Sequence, residues 1–223
     1  MSTTLTFILF AVVSYLLGAI PFGLIVARVK GVDIRKTGSG NIGATNVFRS
    51  LGKGPGILTF ALDMLKGFIP AWLLPHAATM MFALPESQGL SLGLICGCAA
   101  IAGHNWPVYL GFKGGKGIAT TAGVLLGIAP LAVLIGLITW IIVFLPTRYV
   151  SVGSILAAVA VAVSSWWLYA KDGMLRPMAL TVLAVLAVLR HKENIKRLIH
   201  GTENRFEFGK KKAQGTSESD KKH

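Results

Sequence analysis

The chain alternates long apolar runs with short polar stretches. The runs cover residues 5–26, 55–74, 90–102, 118–129, 131–145, 150–167 and 174–189. A hydrocarbon core of about 30 Å takes about 20 helical residues, so the shorter runs must extend into flanking sequence or be partly buried in protein. Taken as one helix, residues 118–145 would reach roughly 40 Å at about 1.5 Å per residue. Pro130, with Gly127 shortly before it, divides that stretch into two short spans with a tight turn. The first run lacks the basic start and small-residue cleavage site of a signal peptide and reads as a retained helix. The pattern predicts an all-α integral membrane protein with seven transmembrane helices.

Composition agrees. Hydrophobic residues make up 53% of the 223 and charged residues 14%, against about 25% charged in a soluble domain. The formal net charge of +13 would point to nucleic acid in a soluble protein. In a membrane protein it follows from lysine and arginine gathering on the cytoplasmic side, so nucleic acid is not expected. Cys96 and Cys98 lie within an apolar run and read as small buried hydrophobes.

Charge also orients the chain. With seven spans and the N-terminus outside, Arg28, Lys30, Arg35, Lys36, Arg49, Lys53, Lys113, Lys116, Arg148 and the basic C-terminus all fall on the cytoplasmic side. Only Lys171 and Arg176 remain outside. Six spans would put the basic tail on the wrong side. Residues 1–208 are expected to form one membrane domain. The polar, lysine-rich 209–223 reads as a disordered tail.

Four polar segments then share the cytoplasmic boundary: GSGNIGATNVFRSLGKG (38–54), GHNWPVYLGFKGGKGIAT (103–120), TRYVSVGS (147–154) and RHKENIKRLIHGTENRF (190–206). Glycines let successive backbone N–H groups turn toward an anion. The FKGGKG stretch precedes an apolar helix whose N-terminus adds partial positive charge. A nucleotide-binding loop is not implied, because Ile118 stands where its hydroxyl belongs. In the last segment His191, Asn194 and Leu198 share one helical face, as expected of an interfacial helix. Asp63 and Lys66 interrupt the second run at i, i+3 and can pair on a helix. Trp106, Tyr109 and Phe112 fit an interfacial aromatic belt.

Some chemistries are excluded. No H-x-x-x-x-D occurs among His76, His104, His191, His200 and His223, which removes the acid–base device of many glycerolipid acyltransferases. There is no G-x-S-x-G elbow and no Cys/His cluster with metal spacing. Cytoplasmic carboxylates are too few for a two-metal centre. Neither metal nor cofactor is expected.

Together the segments GSGNIGATN…R…GK, GHNWPVYLGFKGGKGIAT and RHKENIKR…GTE resemble the motifs of the bacterial acyl-phosphate:glycerol-3-phosphate acyltransferases, over essentially the whole chain. The resemblance implies a multi-pass enzyme of the bacterial inner membrane. Such an enzyme moves an acyl group from acyl phosphate to the 1-hydroxyl of sn-glycerol 3-phosphate, giving lysophosphatidic acid and inorganic phosphate. Its implied partners are the two substrates, the lipid bilayer and the enzyme that supplies acyl phosphate. Carried onto this chain, it implies catalytic roles for Ser39, Asn41, Ser154, His191 and Asn194. It implies phosphate-binding roles for Thr45, Asn46, Arg49, Lys53, His104, Lys113, Gly114, Gly115, Lys116, Thr120, Ser151, Arg197 and Glu203. Within that set, Lys116, Arg49 and the Gly114–Gly115 amides are expected to hold phosphate. Either His191 or a substrate phosphate oxygen would take the hydroxyl proton. The competing classes are a transporter for a phosphorylated solute and a lipid-binding scaffold without chemistry.

Overall fold

The computed structural model describes residues 2–206, so the 209–223 tail lies outside the described residues. Among these residues there are helices, turns and loops, and no strand. Helix α1 (Thr3–Ala19) starts on a Ser2 cap, whose hydroxyl accepts the Leu5 N–H at 3.3 Å. It stops short of the single helix expected over the first run, and α2 (Phe22–Val29) resumes after Ile20–Pro21. Pro21 carries no N–H, and its ring excludes the carbonyl one turn back. The Ile20 carbonyl is satisfied instead by Lys66 Nζ at 2.8 Å.

A helix also appears inside the first polar segment, where only a loop was expected. It is α3 (Ala44–Leu51), entered from Gly43 and left through Gly52 at φ 90°. The next helix, α4 (Lys53–Phe68), continues through a π-helical turn, Ile69–Leu73, into α5 (Leu74–Phe82). Pro70 and Pro75 lie in this stretch and cannot donate backbone hydrogen bonds, so the ladder shifts to i→i+5, with the Leu74 N–H on the Ile69 carbonyl. Then follow α6 (Gly89–Asn105), α7 (Ile118–Ile128), α8 (Pro130–Thr147), α9 (Val150–Tyr169), α10 (Leu175–Arg190) and α11 (Lys192–Ile199). The break expected at Pro130 is present. Helices α7 and α8 meet at Ala129, with φ −152° and ψ 59°.

Helices lie on all seven apolar runs. Among the described residues, four helical stretches are long and apolar enough to cross a membrane: Thr3–Val29, Lys53–Phe82, Pro130–Thr147 and Val150–Asp172. Their outward faces are apolar, with Ile142, Leu145 and Trp167 more than half exposed. Water would disfavour such a surface, whereas lipid matches it. Inside, helices approach closely at small residues. A Cβ on Gly67 would overlap the Thr120 carbonyl, and one on Gly123 the Met64 carbonyl, which brings α4 and α7 into backbone contact. Leu94, Ile101, Val124, Leu125, Leu180 and Leu183 fill the core beside them.

One topological feature positions the site. The starts of α4, α7 and α9 and the ends of α6, α8 and α10 all border a single cavity. Helices α4, α7 and α9 therefore leave this end of the bundle, and α6, α8 and α10 return to it.

Candidate active site

The cavity has a volume of about 840 Å³. Its first wall is the loop between α2 and α3. Asn46 is 2% exposed and organises that loop from within. Its Nδ2 donates to the carbonyls of Ile34 (3.2 Å), Thr37 (3.0 Å) and Asn41 (2.8 Å), and its Oδ1 accepts the Ser39 N–H at 3.0 Å. Asn41 Oδ1 accepts the Gly43 N–H at 2.8 Å, so its Nδ2 is the donor left to face the cavity. Ser39 and Thr45 line the same wall.

The second wall is a polar chain centred on Glu203. Its Oε1 accepts from Ser151 Oγ at 2.9 Å and Asn194 Nδ2 at 2.6 Å, and its Oε2 accepts from Arg197 Nε at 2.8 Å. Asn194 Oδ1 in turn accepts from Lys116 Nζ. Burial alone would raise the Glu203 carboxyl, but the hydrogen bonds from Asn194, Arg197 and Ser151 hold it below its ordinary value. Burial pulls the Lys116 ammonium down to about 8. Glu203 opposes that shift, while Arg197, Arg49 and Arg190 add to it.

Four cations, Arg49, Lys53, Lys116 and Arg197, therefore face one space with Glu203 already committed. The first residues of α3, α7 and α9 border it as well. The opening amides of a helix have no intrahelical partner and carry its positive dipole end. Cations and helix starts together make an anion site.

His191 sits between α10 and α11 and is 3% exposed. Its Nδ1 lies 2.8 Å from the Ala187 carbonyl. A carbonyl only accepts, so the proton resides on Nδ1 and Nε2 is the unprotonated nitrogen. Burial lowers its pKa from the ordinary value; the Ala187 hydrogen bond and Glu203 oppose the shift and the positive Lys116 adds to it, so the neutral ring is favoured.

The opposite wall is apolar. Ile57 and Phe60 of α4 face Trp140 and Phe144 of α8. Phe144 and Phe48 both pack on Phe206, with ring centroids 5.5 and 5.3 Å away. A cationic half thus opens directly onto an aromatic half.

A family model described as glycerol-3-phosphate acyltransferase matches residues 8–201. The chain belongs to that family. It is 47% identical over 197 residues to the glycerol-3-phosphate acyltransferase of Geobacter sulfurreducens, covering 87% of this chain and 94% of the relative. With the enzyme of Geotalea daltonii it shares 49% over 193 residues, covering 86% and 94%. Among solved structures it resembles PlsY (YgiH), an integral membrane glycerol 3-phosphate acyltransferase. The glycerol 3-phosphate form superposes with a TM-score of 0.79 at 41% identity, over 90% of this chain and 96% of that one. The lysophosphatidic acid form gives 0.77 at 40%, over 90% and 95%. The protein is thus an acyltransferase and a multi-pass integral membrane protein.

Most residues expected in the acyltransferase site meet in the large cavity: Ser39, Asn41, Thr45, Asn46, Arg49, Lys53, His104, Lys116, Ser151, Ser154, His191, Asn194, Arg197 and Glu203. Four do not. Lys113 and Gly114 line a smaller cavity alongside. Thr120 is fully buried, with its carbonyl against Gly67 and its hydroxyl without a hydrogen-bond partner among the described residues. Gly115 donates its N–H to the His104 carbonyl at 3.1 Å, and its carbonyl accepts from Arg190 Nη2. That amide serves the loop, whereas Gly117, Ile118 and Ala119 at the start of α7 line the cavity. A side chain on Gly115 would strike His104 Nε2, so His104 packs directly against the loop. Asp63 and Lys66 form the expected ion pair at 2.8 Å, both nearly inaccessible.

Sequence reasoning missed the aromatic wall. The signal was the i, i+4 pair Trp140–Phe144, hidden in a run that is apolar throughout. Trp106, Tyr109 and Phe112 are all exposed and lie outside the cavity. Trp106 is tied down, its carbonyl accepting from Tyr15 Oη at 2.7 Å and its ring lying 5.4 Å from the Arg190 guanidinium.

Proposed function

We propose that the protein transfers an acyl group from acyl phosphate to the 1-hydroxyl of sn-glycerol 3-phosphate, releasing lysophosphatidic acid and inorganic phosphate. This is the first acylation of phospholipid synthesis. The observation that carries the reading is the junction, within one cavity of about 840 Å³, of a cationic half and an aromatic half. Both substrates bear phosphate and one bears a long hydrocarbon chain, so each half has an occupant. The glycerol 3-phosphate and lysophosphatidic acid forms of PlsY support the same acceptor and product.

The bundle crosses the bacterial inner membrane seven times, with the N-terminus outside and the site at the cytoplasmic face. Two observations support this: helix ends alternate at the cavity, and the basic residues gather at that end. Confinement of the polar groups to one end disfavours a transporter, whose site lies near the midplane.

Acyl phosphate is a mixed anhydride with a good leaving group, so the protein's task is orientation and charge stabilisation. Lys116, Arg49, Arg197 and the start of α7 hold phosphoryl oxygens. Asn41, Ser39 and Ser154 offer hydrogen-bond donors to the acyl carbonyl oxygen. The glycerol hydroxyl oxygen bonds to the acyl carbon, the carbon–oxygen bond to phosphate breaks, and a substrate phosphate oxygen takes the proton. His191 is the alternative acceptor, because its unprotonated Nε2 belongs to a residue lining the same cavity.

Purified protein in detergent tests the reading. Phosphate release should require both acyl phosphate and glycerol 3-phosphate and should fail with acyl-CoA as donor. Flux of a phosphorylated solute into liposomes without turnover would assign a transporter instead.

A further inference from the structure

We propose that the smaller cavity beside the acyl-transfer site is an anion antechamber, a binding site for phosphate monoester or inorganic phosphate passing between water and the reacting groups. The inference rests on the reaction proposed above and adds a second, separately testable site to it.

The chamber holds about 470 Å³, and six cations line it: Arg35, Lys113, Lys116, Arg190, Lys192 and Arg197. Glu193 is the one acid among the described residues that line it. Ser39, Asn41, Lys116 and Arg197 also border the large cavity, so these four side chains form the partition between the two spaces.

The six cations are not equivalent. Arg35 is held by Asp33 at 2.6 Å and Arg197 by Glu203 at 2.8 Å. Arg190 spends Nη2 on the Gly115 and Asn105 carbonyls. Lys113 and Lys192 belong to no ion pair formed among the described residues. Two lysines with uncommitted charge therefore stand on the far side of the partition from the aromatic wall.

This arrangement selects its occupant. The chamber lacks the aromatic lining that would hold an acyl chain, and its potential is strongly positive. A small, multiply charged anion fits both properties. Glycerol 3-phosphate entering and inorganic phosphate leaving share that chemistry. The acyl donor reaches the reaction through the apolar half and does not need this route. The two substrates thus approach from opposite sides, one through water and one through lipid.

A charge series at the rim tests the proposal without disturbing the core. Lys192 and Glu193 are both exposed at the start of α11. At low ionic strength, Lys192→Gln should lower kcat/KM for glycerol 3-phosphate by about threefold, Lys192→Glu by about tenfold, and Glu193→Gln should raise it. The apparent KM for acyl phosphate is the internal reference and should not follow the series. The differences should vanish near 1 M salt, where the Debye length is about 3 Å. The inhibition constant of inorganic phosphate, measured in the same variants, separates the two occupants. If it moves with the series the chamber serves departing phosphate, and if only the glycerol 3-phosphate term moves it serves entry alone. Variants that match wild type at low salt, or that affect both substrates equally, overturn the antechamber. Absence of two-substrate turnover in the wild type overturns the reaction itself, so the two failures are distinguishable.

Discussion

Ser151 Oγ donates to Glu203 Oε1 across 2.9 Å, joining residues 52 positions apart. Through this contact the segment after α11 is tied to the first turn of α9, and Glu203 becomes the shared acceptor of Ser151, Asn194 and Arg197. It also fixes Asn194, whose other end receives Lys116. Hydrogen bonds to a charged group contribute about 1.5–3 kcal/mol each. Glu203→Gln keeps an acceptor for Ser151 and Asn194 but loses the charge that holds Arg197, and it should lower kcat/KM about tenfold. Glu203→Ala releases all three partners and should lower it about a hundredfold. Steady-state phosphate release compares the two. Equal losses would show that charge alone matters, not the orientation of Asn194.

With Lys116 holding phosphate as proposed, its ammonium, drawn down to about 8 chiefly by burial, should give the enzyme an alkaline limit. The sign follows from its role. A phosphate-holding lysine works while protonated, so affinity is full below pH 8 and falls as pH rises through that value. Bound phosphate favours the charged form, so the limb in kcat should lie at higher pH than the limb in kcat/KM. Lys116→Arg keeps its charge past pH 10 and should abolish the limb even though its overall activity is lower. A pH profile of both enzymes with saturating acyl phosphate measures this. Persistence of the limb in the arginine variant assigns it to another group.

Asn46 was expected to touch phosphate, yet its amide is occupied by the loop. It satisfies the carbonyls of Ile34, Thr37 and Asn41 and the N–H of Ser39. Asn46→Ala should therefore cost about 2–4 kcal/mol, since buried partners left unpaired cost about 1–3 kcal/mol each. Asn46→Asp should be worse, because carboxylate oxygens would face three carbonyl oxygens. Thermal unfolding in detergent reads the stability, and limited proteolysis of residues 30–43 reads the loop. A variant with wild-type stability and only a raised KM would return Asn46 to substrate binding.

The apolar runs made the helices legible, because period and length survive without tertiary context. Pro130 marked a real break for the same local reason. The break at Pro21 was less visible, because apolar residues continue on both sides of it and the partner of the Ile20 carbonyl, Lys66, is 46 positions away. Helix α3 was hidden by the glycines that flank it. In the site, residue types announced an anion, and most of the expected residues do converge. Sequence does not tell which polar atoms face the ligand and which are already spent. Asn46 and Gly115 both carry suitable groups, and packing turns each of them to the scaffold.

His191 is the alternative to a substrate phosphate as acceptor of the proton in the proposed reaction. Its geometry suits a base. The Ala187 carbonyl at 2.8 Å keeps hydrogen on Nδ1, and burial together with Lys116 favours the neutral ring. A lowered pKa also makes it a weaker base, and a substrate phosphate dianion in the same cavity competes for the role. Substrate assistance predicts that His191→Gln retains a rate within about tenfold of wild type at saturating substrates, because the amide can still hydrogen-bond. Loss of a true general base costs 10²–10⁴-fold. The acid limb gives an independent reading. With His191 as base, kcat/KM should fall as the pH drops through its lowered pKa, and that limb should disappear in His191→Gln. With phosphate as acceptor the limb stays, because it belongs to the second ionisation of the substrate phosphate, near pH 6 as in other phosphate monoesters. A large rate loss together with a vanished limb would move the proton to His191 Nε2 and leave the phosphate groups with binding alone.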